Sequence, residues 1–288
     1  MDRHDPGVFV GREAELERLS LAIHRRESLA IWGPPDSGKT ALVQHAISRL
    51  PGDVAARCIH LTVKGPPHAV LATLLEELHT RGDEFLIAKF QSEEGETTGF
   101  ARWARHQTSL RMRGLLYRAA QSSRYWLFLD GVEGLSDAFA RIVRELVEMR
   151  GTPVYLIARG CSERELGRAA RLYWNDTMRL KLAPLAAQGA RSLVKHCIER
   201  YGLTRLNLEG FREELLRLSG GLPGAIVEMS ARAGDSEYHR GGRIEMRLLH
   251  VDYMMQFSYR AQPIAAARPG VAATAPDLPG ERRHGALK

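Results

Sequence analysis

Apolar residues recur along this chain in two rhythms. Leu16, Leu19 and Ile23 are spaced as one face of a helix, and Val70, Leu71, Leu74, Leu75 and Leu78 mark an amphipathic helix over 67–80. Between such segments lie short, nearly continuous apolar runs: Ser28-Leu29-Ala30-Ile31-Trp32, residues 56–63, Tyr125-Trp126-Leu127-Phe128-Leu129, and Pro153 to Ala158. Unbroken apolarity of this length predicts a strand buried on both faces, as in a parallel sheet. Further helices are expected over 100–122 and 137–150, and a short fifth strand over 178–182. The polar, glycine-containing stretch from Gln91 to Gly99 reads as a mobile loop. Strands alternating with helices imply an α/β fold around a parallel sheet with right-handed crossovers.

Beyond Pro184 the rhythm changes. Helical spacing appears over 187–201, 208–219 and 223–233 with no strand between, so a small helical unit follows the sheet. Residues 243–259 are apolar without a clear period, and the element type stays open. From Gln262 the chain is rich in Ala, Pro, Gly and Arg, a composition expected to be disordered. The expected organisation is a core over 1–182, a helical segment over 183–260 and a tail over 261–288. No internal repeat is evident.

Composition narrows the class only modestly. A chain of 288 residues accommodates one large domain, or a core with a smaller one appended. A hydrophobic content of 44% and a charged content of 26% are those of an ordinary globular protein. The formal net charge of +7, nearly all arginine, suits anionic partners such as ATP or nucleic acid. A solvated basic surface explains it equally well. Cys58, Cys161 and Cys197 are odd in number and widely separated, so neither a disulfide framework nor a zinc site is expected. Met1 to Asp5 lacks an apolar signal region, and no run approaches membrane-spanning length. A reduced, cytoplasmic protein with no membrane partner is expected.

The chemistry concentrates in residues 33–40: Gly33, Pro34, Pro35, Asp36, Ser37, Gly38, Lys39 and Thr40. They lie between the predicted strand at 28–33 and a helical pattern opening at Ala41, the strand–loop–helix setting of a phosphate-binding loop. Glycines let the backbone amides approach a polyphosphate, and the helix N-terminus adds its positive dipole end. Lys39 can reach the β- and γ-phosphates, and the Thr40 hydroxyl can ligate Mg²⁺. Asp36 is discordant, because a carboxylate beside phosphates repels them unless it is turned away. Hydrolysis needs further groups. Asp130, ending its strand, is placed to hold the metal shell, and Glu133 three residues on could orient or deprotonate water. Arg159, ending the next strand, could sense the γ-phosphate. Plainer roles stay open: a turn cap for Asp130, an exposed loop carboxylate for Glu133, and solvation of the strand end for Arg159.

Taken together these residues resemble a family. Phe9-Val10-Gly11-Arg12-Glu13 with Leu16 and Leu19 is similar to the opening motif of AAA+ ATPases of the origin-recognition and signal-transduction (STAND) types. Leu127-Phe128-Leu129-Asp130-Gly131-Val132-Glu133 resembles the Walker B of NACHT-like members, and Ile157-Ala158-Arg159 their sensor-1 strand. Leu182-Ala183-Pro184-Leu185 resembles the lead-in to their helical lid, and Gly220-Gly221-Leu222-Pro223-Gly224 its Gly-x-Pro motif, which also reads as a helix cap followed by a new helix start. The resemblance covers residues 8–233. It implies a P-loop NTPase, a three-layer αβα sandwich with a five-stranded parallel sheet and a small α-helical lid. It further implies ATP or ADP with Mg²⁺ between sheet and lid, Val10, Gly11 and Arg12 at the base, and Pro223 closing over it. Self-assembly or a protein partner would follow, although none of Arg164, Arg168 and Arg171 is singled out as an arginine finger. A nucleotide switch that hydrolyses slowly, or a DNA-associated binding module, is the alternative to a turnover ATPase.

Overall fold

The computed structural model describes residues 9–94, 99–121, 124–149, 151–160, 162 and 178–261. Helix α1 (Glu13–His24) leads into strand β1 (Leu29–Gly33), and α2 (Lys39–Ser48) follows after a loop. A short helix α3 (Gly52–Ala55) precedes β2 (Cys58–Thr62). Helices α4 (Pro67–Thr80), α5 (Glu84–Glu94), α6 (Phe100–His106) and α7 (Ser109–Gln121) then run to β3 (Trp126–Asp130). Next come α8 (Asp137–Glu148), β4 (Val154–Arg159) and β5 (Arg179–Lys181). The sheet has the order β2-β3-β4-β1-β5, and every pairing in it is parallel.

The continuous apolar runs have the expected cause. In β3, Leu127 and Leu129 face a cluster built with α4, α6, α7 and α8, while Trp126 and Phe128 face α1 and α2. In β4, Val154, Leu156 and Ala158 face the first cluster, and Tyr155 and Ile157 the second. Period-two alternation therefore meets apolar neighbours on both sides, which removes the need for polar positions. The parallel sheet between helical layers is the expected three-layer α/β architecture.

Two segments differ from expectation. Gln91 to Glu94 are the end of helix α5, not loop; residues 95–98 lie outside the described residues. Asp83, buried, accepts the Leu86 N–H at 3.0 Å and starts this helix, while Phe90 packs edge-on to Phe100 and Trp103. The single helix expected over 100–122 is two, α6 and α7. Its break falls at Gln107–Thr108, where the Thr108 hydroxyl accepts the Arg111 N–H at 3.3 Å and competes with a continuous helix.

The C-terminal part comprises α9 (Ala187–Arg200), α10 (Phe211–Ser219), α11 (Pro223–Arg232), a small antiparallel hairpin of β6 (His239–Arg240) and β7 (Arg243–Ile244), and α12 (Met246–Ala261). The open segment 243–259 is thus mostly helix. These elements share their own core, including Leu185, Leu193, Val194, Leu215, Ile226, Met229, Leu249 and Tyr253. The tail expected from Gln262, and Arg164, Arg168 and Arg171, lie outside the described residues. No helix among the described residues is long and apolar enough to cross a membrane.

Candidate functional site

β1 ends at Gly33 and α2 begins at Lys39, so residues 34–38 turn the chain at the carboxyl edge of the sheet. Gly33 leaves no room for a side chain: a Cβ there would stand 2.4 Å from the Leu182 carbonyl oxygen. Gly38, just before α2, holds φ at +86°, a left-handed conformation that glycine adopts without penalty. Asp36 is left-handed as well, with φ +59°. Aspartate tolerates this better than most residues, but the conformation still needs support from its surroundings.

Inside the loop, the Lys39 ammonium donates to the carbonyl oxygens of Gly33 (3.0 Å) and Pro34 (2.7 Å) and to the Ser37 hydroxyl (3.2 Å). All three acceptors are neutral. Burial pushes the Lys39 pKa down to about 8, against the pull of Asp130 and Glu133. A compact cation thus sits behind a loop of backbone amides at a helix N-terminus, an arrangement that favours an incoming anion.

Parallel register brings the other groups to the same edge. Gly33 pairs with Arg159, and Asp130 pairs with both Thr62 and Ile157. The Thr40 hydroxyl donates to Asp130 Oδ2 at 2.5 Å, and His60 Nε2 on β2 lies 3.7 Å from that oxygen. Burial alone would raise the Asp130 pKa. The polar pull of His60, the Thr40 hydroxyl and the Lys39 charge outweighs it and holds the carboxyl below its usual range. Glu133 sits in a tight turn after Gly131, whose φ is +83° and whose N–H donates to the Ile157 carbonyl at 2.8 Å. Both Glu133 oxygens face Arg159, whose Nε donates at 2.6 Å and whose backbone N–H donates at 3.1 Å.

The remaining candidates bracket the loop. Arg12, buried before α1, donates through Nη2 to the Ser37 carbonyl at 3.2 Å and to the Ala183 carbonyl, and through Nη1 to Glu15 at 2.7 Å. Its guanidinium ties α1, the loop and the start of the helical unit together. Gly11 packs so closely on α9 that a Cβ there would stand 3.1 Å from the Gly189 Cα, and Val10 precedes it half-buried. Pro223, first residue of α11, stands against the loop: a Cβ on Gly38 would lie 3.3 Å from its Cγ. Pro34, Pro35 and Thr40 are half-buried along the loop, and Ala41 is exposed at its helical end. Three contributors had no site role assigned from sequence: His60, Tyr253, and Gly224, which stood only at the end of the Gly-x-Pro motif. For His60 a signal existed, since it is a polar residue inside an apolar strand. Gly224 and Tyr253 meet the loop only through the tertiary fold.

A cleft of about 920 Å³ lies at the opposite edge of the sheet, against Arg18, Arg25, Ser28 and Pro153, and no phosphate-loop residue lines it. The donor chemistry is more telling. Among the described residues no three His, Cys, Asp or Glu side chains cluster to cage a metal. What is present is a hydroxyl–carboxylate oxygen pair beside a buried ammonium. That pair fits Mg²⁺, which keeps most of its shell for water and phosphate oxygens and takes one or two protein ligands.

Comparisons with known proteins agree on the fold. Among solved structures, the ORC1 protein of Aeropyrum pernix in complex with DNA is similar at a TM-score of 0.60 and 16% identity, over 87% of this chain and 66% of that one. The Walker-type ATPase PABY2304 of Pyrococcus abyssi matches at 0.51 and 16% identity, over 88% of this chain and 77% of that one. The RuvB Holliday junction branch migration motor of Thermotoga maritima matches at 0.51 and 16%, over 88% and 72%. At such identities the likeness is one of fold, and the chain spans just under two thirds of the ORC1 chain. No curated protein matches the sequence significantly. A family model described as AAA ATPase domain matches residues 8–158. That match takes in the phosphate loop and the acidic end of β3, covers more than half of the chain, and makes it a member of the AAA ATPase domain family.

Proposed function

We propose that the chain binds ATP or ADP with Mg²⁺ at the edge formed by β1, β3 and β4, and hydrolyses ATP. The observation that carries this is the Thr40–Asp130 pair at 2.5 Å beside the buried Lys39. Lys39 and the loop amides would hold the β- and γ-phosphates, and Glu133 would orient the attacking water. Bound by Thr40 and Asp130, Mg²⁺ would supply charge neutralisation on the phosphate oxygens. Arg159 would exchange Glu133 for the γ-phosphate. We read Val10 and Gly11 with Pro223 as the walls of the base pocket, and Arg12 as a brace behind the loop. On this reading residues 1–182 are the ATPase core, residues 183–260 are a helical lid and C-terminal segment, and nucleotide state biases the angle between core and lid. The acid spacing of Asp130-Gly131-Val132-Glu133 supports a place near the STAND branch of the family.

Titration calorimetry with ATP and ADP tests binding, and Lys39→Ala is expected to weaken it by at least about tenfold. Phosphate release tests turnover: Glu133→Gln is expected to be about 100-fold slower than wild type, with affinity kept within about threefold.

A second reading is a switch that hydrolyses slowly and signals through a second copy, another protein or nucleic acid. The double engagement of Glu133 by Arg159 favours it, because the water-orienting carboxylate is already taken. Tight ATP binding with wild-type hydrolysis no faster than that of Glu133→Gln would support the switch and remove Glu133 from turnover. For nucleic acid, the support is the charge of +7 and the ORC1 structure solved with DNA. Such binding would weaken steeply with added salt.

A further inference from the structure

The phosphate loop is also held by the C-terminal helices, from Gly224 beside Pro223 of the Gly-x-Pro motif and from Tyr253, which lies outside every nucleotide motif. Asp36, near the tip of the loop, faces the C-terminal helices. Its carbonyl accepts the Gly224 N–H at 2.8 Å, and its Oδ2 accepts the Tyr253 hydroxyl at 2.9 Å. Gly224 is shaped by this approach: a Cβ there would stand 2.8 Å from the Asp36 Cβ and 3.0 Å from its Cα. Tyr253, on α12, comes 217 positions later, and its ring is buried in the C-terminal core. Its hydroxyl is therefore delivered by a packed side chain and not by a surface rotamer.

An aspartate in a phosphate loop carries a charge of the wrong sign for the ligand. The left-handed Asp36 backbone brings that residue against the helical unit, where a neutral donor meets its carboxylate. We propose that Tyr253 is a positioning residue of the nucleotide site, which turns the Asp36 carboxylate away from the phosphates so that the loop accepts a nucleoside di- or triphosphate. The proposal rests on the loop being the nucleotide site. It also makes the ligand and the helical unit interdependent. If α11 and α12 move off the loop, the carboxylate is freed, and nucleotide affinity falls with the same motion.

The experiment is titration of the full chain with ATP and ADP in the presence of Mg²⁺. Wild type, Lys39→Ala, Tyr253→Phe, Asp36→Asn and the double variant Asp36→Asn/Tyr253→Phe are compared. Phenylalanine keeps the buried ring, so the C-terminal core is retained. Tyr253→Phe is expected to weaken ATP binding by about tenfold, and ADP binding by less, because the freed charge opposes the more highly charged ligand more strongly. Asp36→Asn/Tyr253→Phe is expected to recover to within about threefold of wild type, since a neutral amide does not repel phosphate. A merely structural tyrosine would show no such rescue. Wild-type affinity in Tyr253→Phe, or a double variant as weak as Tyr253→Phe, overturns the role of Tyr253 while the loss in Lys39→Ala upholds the nucleotide site. Equal binding by wild type and Lys39→Ala, or no binding by either, overturns both.

Discussion

Gly33 meets two demands at one backbone position. It closes β1 in register with Arg159, and it passes under the Leu182 carbonyl with no space for a methyl group. Because the obstructing atom is backbone and not a mobile side-chain end, the added carbon cannot be accommodated by a rotamer change. Gly33→Ala is therefore expected to destabilise the fold by about 2–4 kcal/mol, read as a shift in denaturant midpoint at constant slope. Arg12 shows the same economy with a large side chain: one buried guanidinium binds Glu15, Ser37 and Ala183. Lys39, Thr40, Asp130, Glu133 and Arg159 were legible because loop chemistry and strand ends announce themselves in a linear pattern. The pairing of Glu133 with Arg159 was not, since it depends on the parallel register of β3 and β4 and the turn made by Gly131. The contacts of Asp36 were equally hidden, being made to residues far along the chain.

Helices α5 to α7 show where periodicity alone falls short. Asp83 and Thr108 each start a helix through a side-chain acceptor, and neither residue interrupts the apolar spacing around it. α12 was illegible for a different reason. Met246, Leu249 and Tyr253 are buried, yet Leu248, Val251, Met254 and Met255 are exposed on the same helix, so apolar residues occupy its whole circumference and no face stands out. α7 offers a direct test of helix propensity. Gly114 lies in its middle, exposed, and a Cβ there would meet nothing within 4 Å. Gly114→Ala is expected to stabilise the chain by about 0.5–1 kcal/mol and raise the melting temperature by about 1–4 °C in calorimetry.

The molecule joins two cores: a sheet sandwiched between helices, and the C-terminal helical cluster. Each contains a buried cysteine, Cys58 in the first and Cys197 in the second. Burial pushes both thiols up to about 11. At pH 8, about three units below, only about one such thiol in a thousand is ionised, and burial withholds even that fraction from reagent. Neither is expected to react with a thiol reagent in the native protein at pH 8, and both are expected to react in denaturant. Chains retaining only Cys58 or only Cys197 would then report the opening of the sheet and of the helical cluster separately. Rapid native labelling of either would show that its core opens. The α/β class, the five strands and the loop with its acidic partner were written in short-range patterns: strand and helix periods, and a glycine–lysine motif bounded by both. Those signals are local, and they survive without knowledge of neighbours. Only the tertiary structure decided which groups meet. Parallel register set Arg159 against Glu133, and the docking of α11 and α12 set Gly224 and Tyr253 against Asp36. Contacts between residues 188 and 217 positions apart are fixed by how the two cores pack, and no local period encodes that.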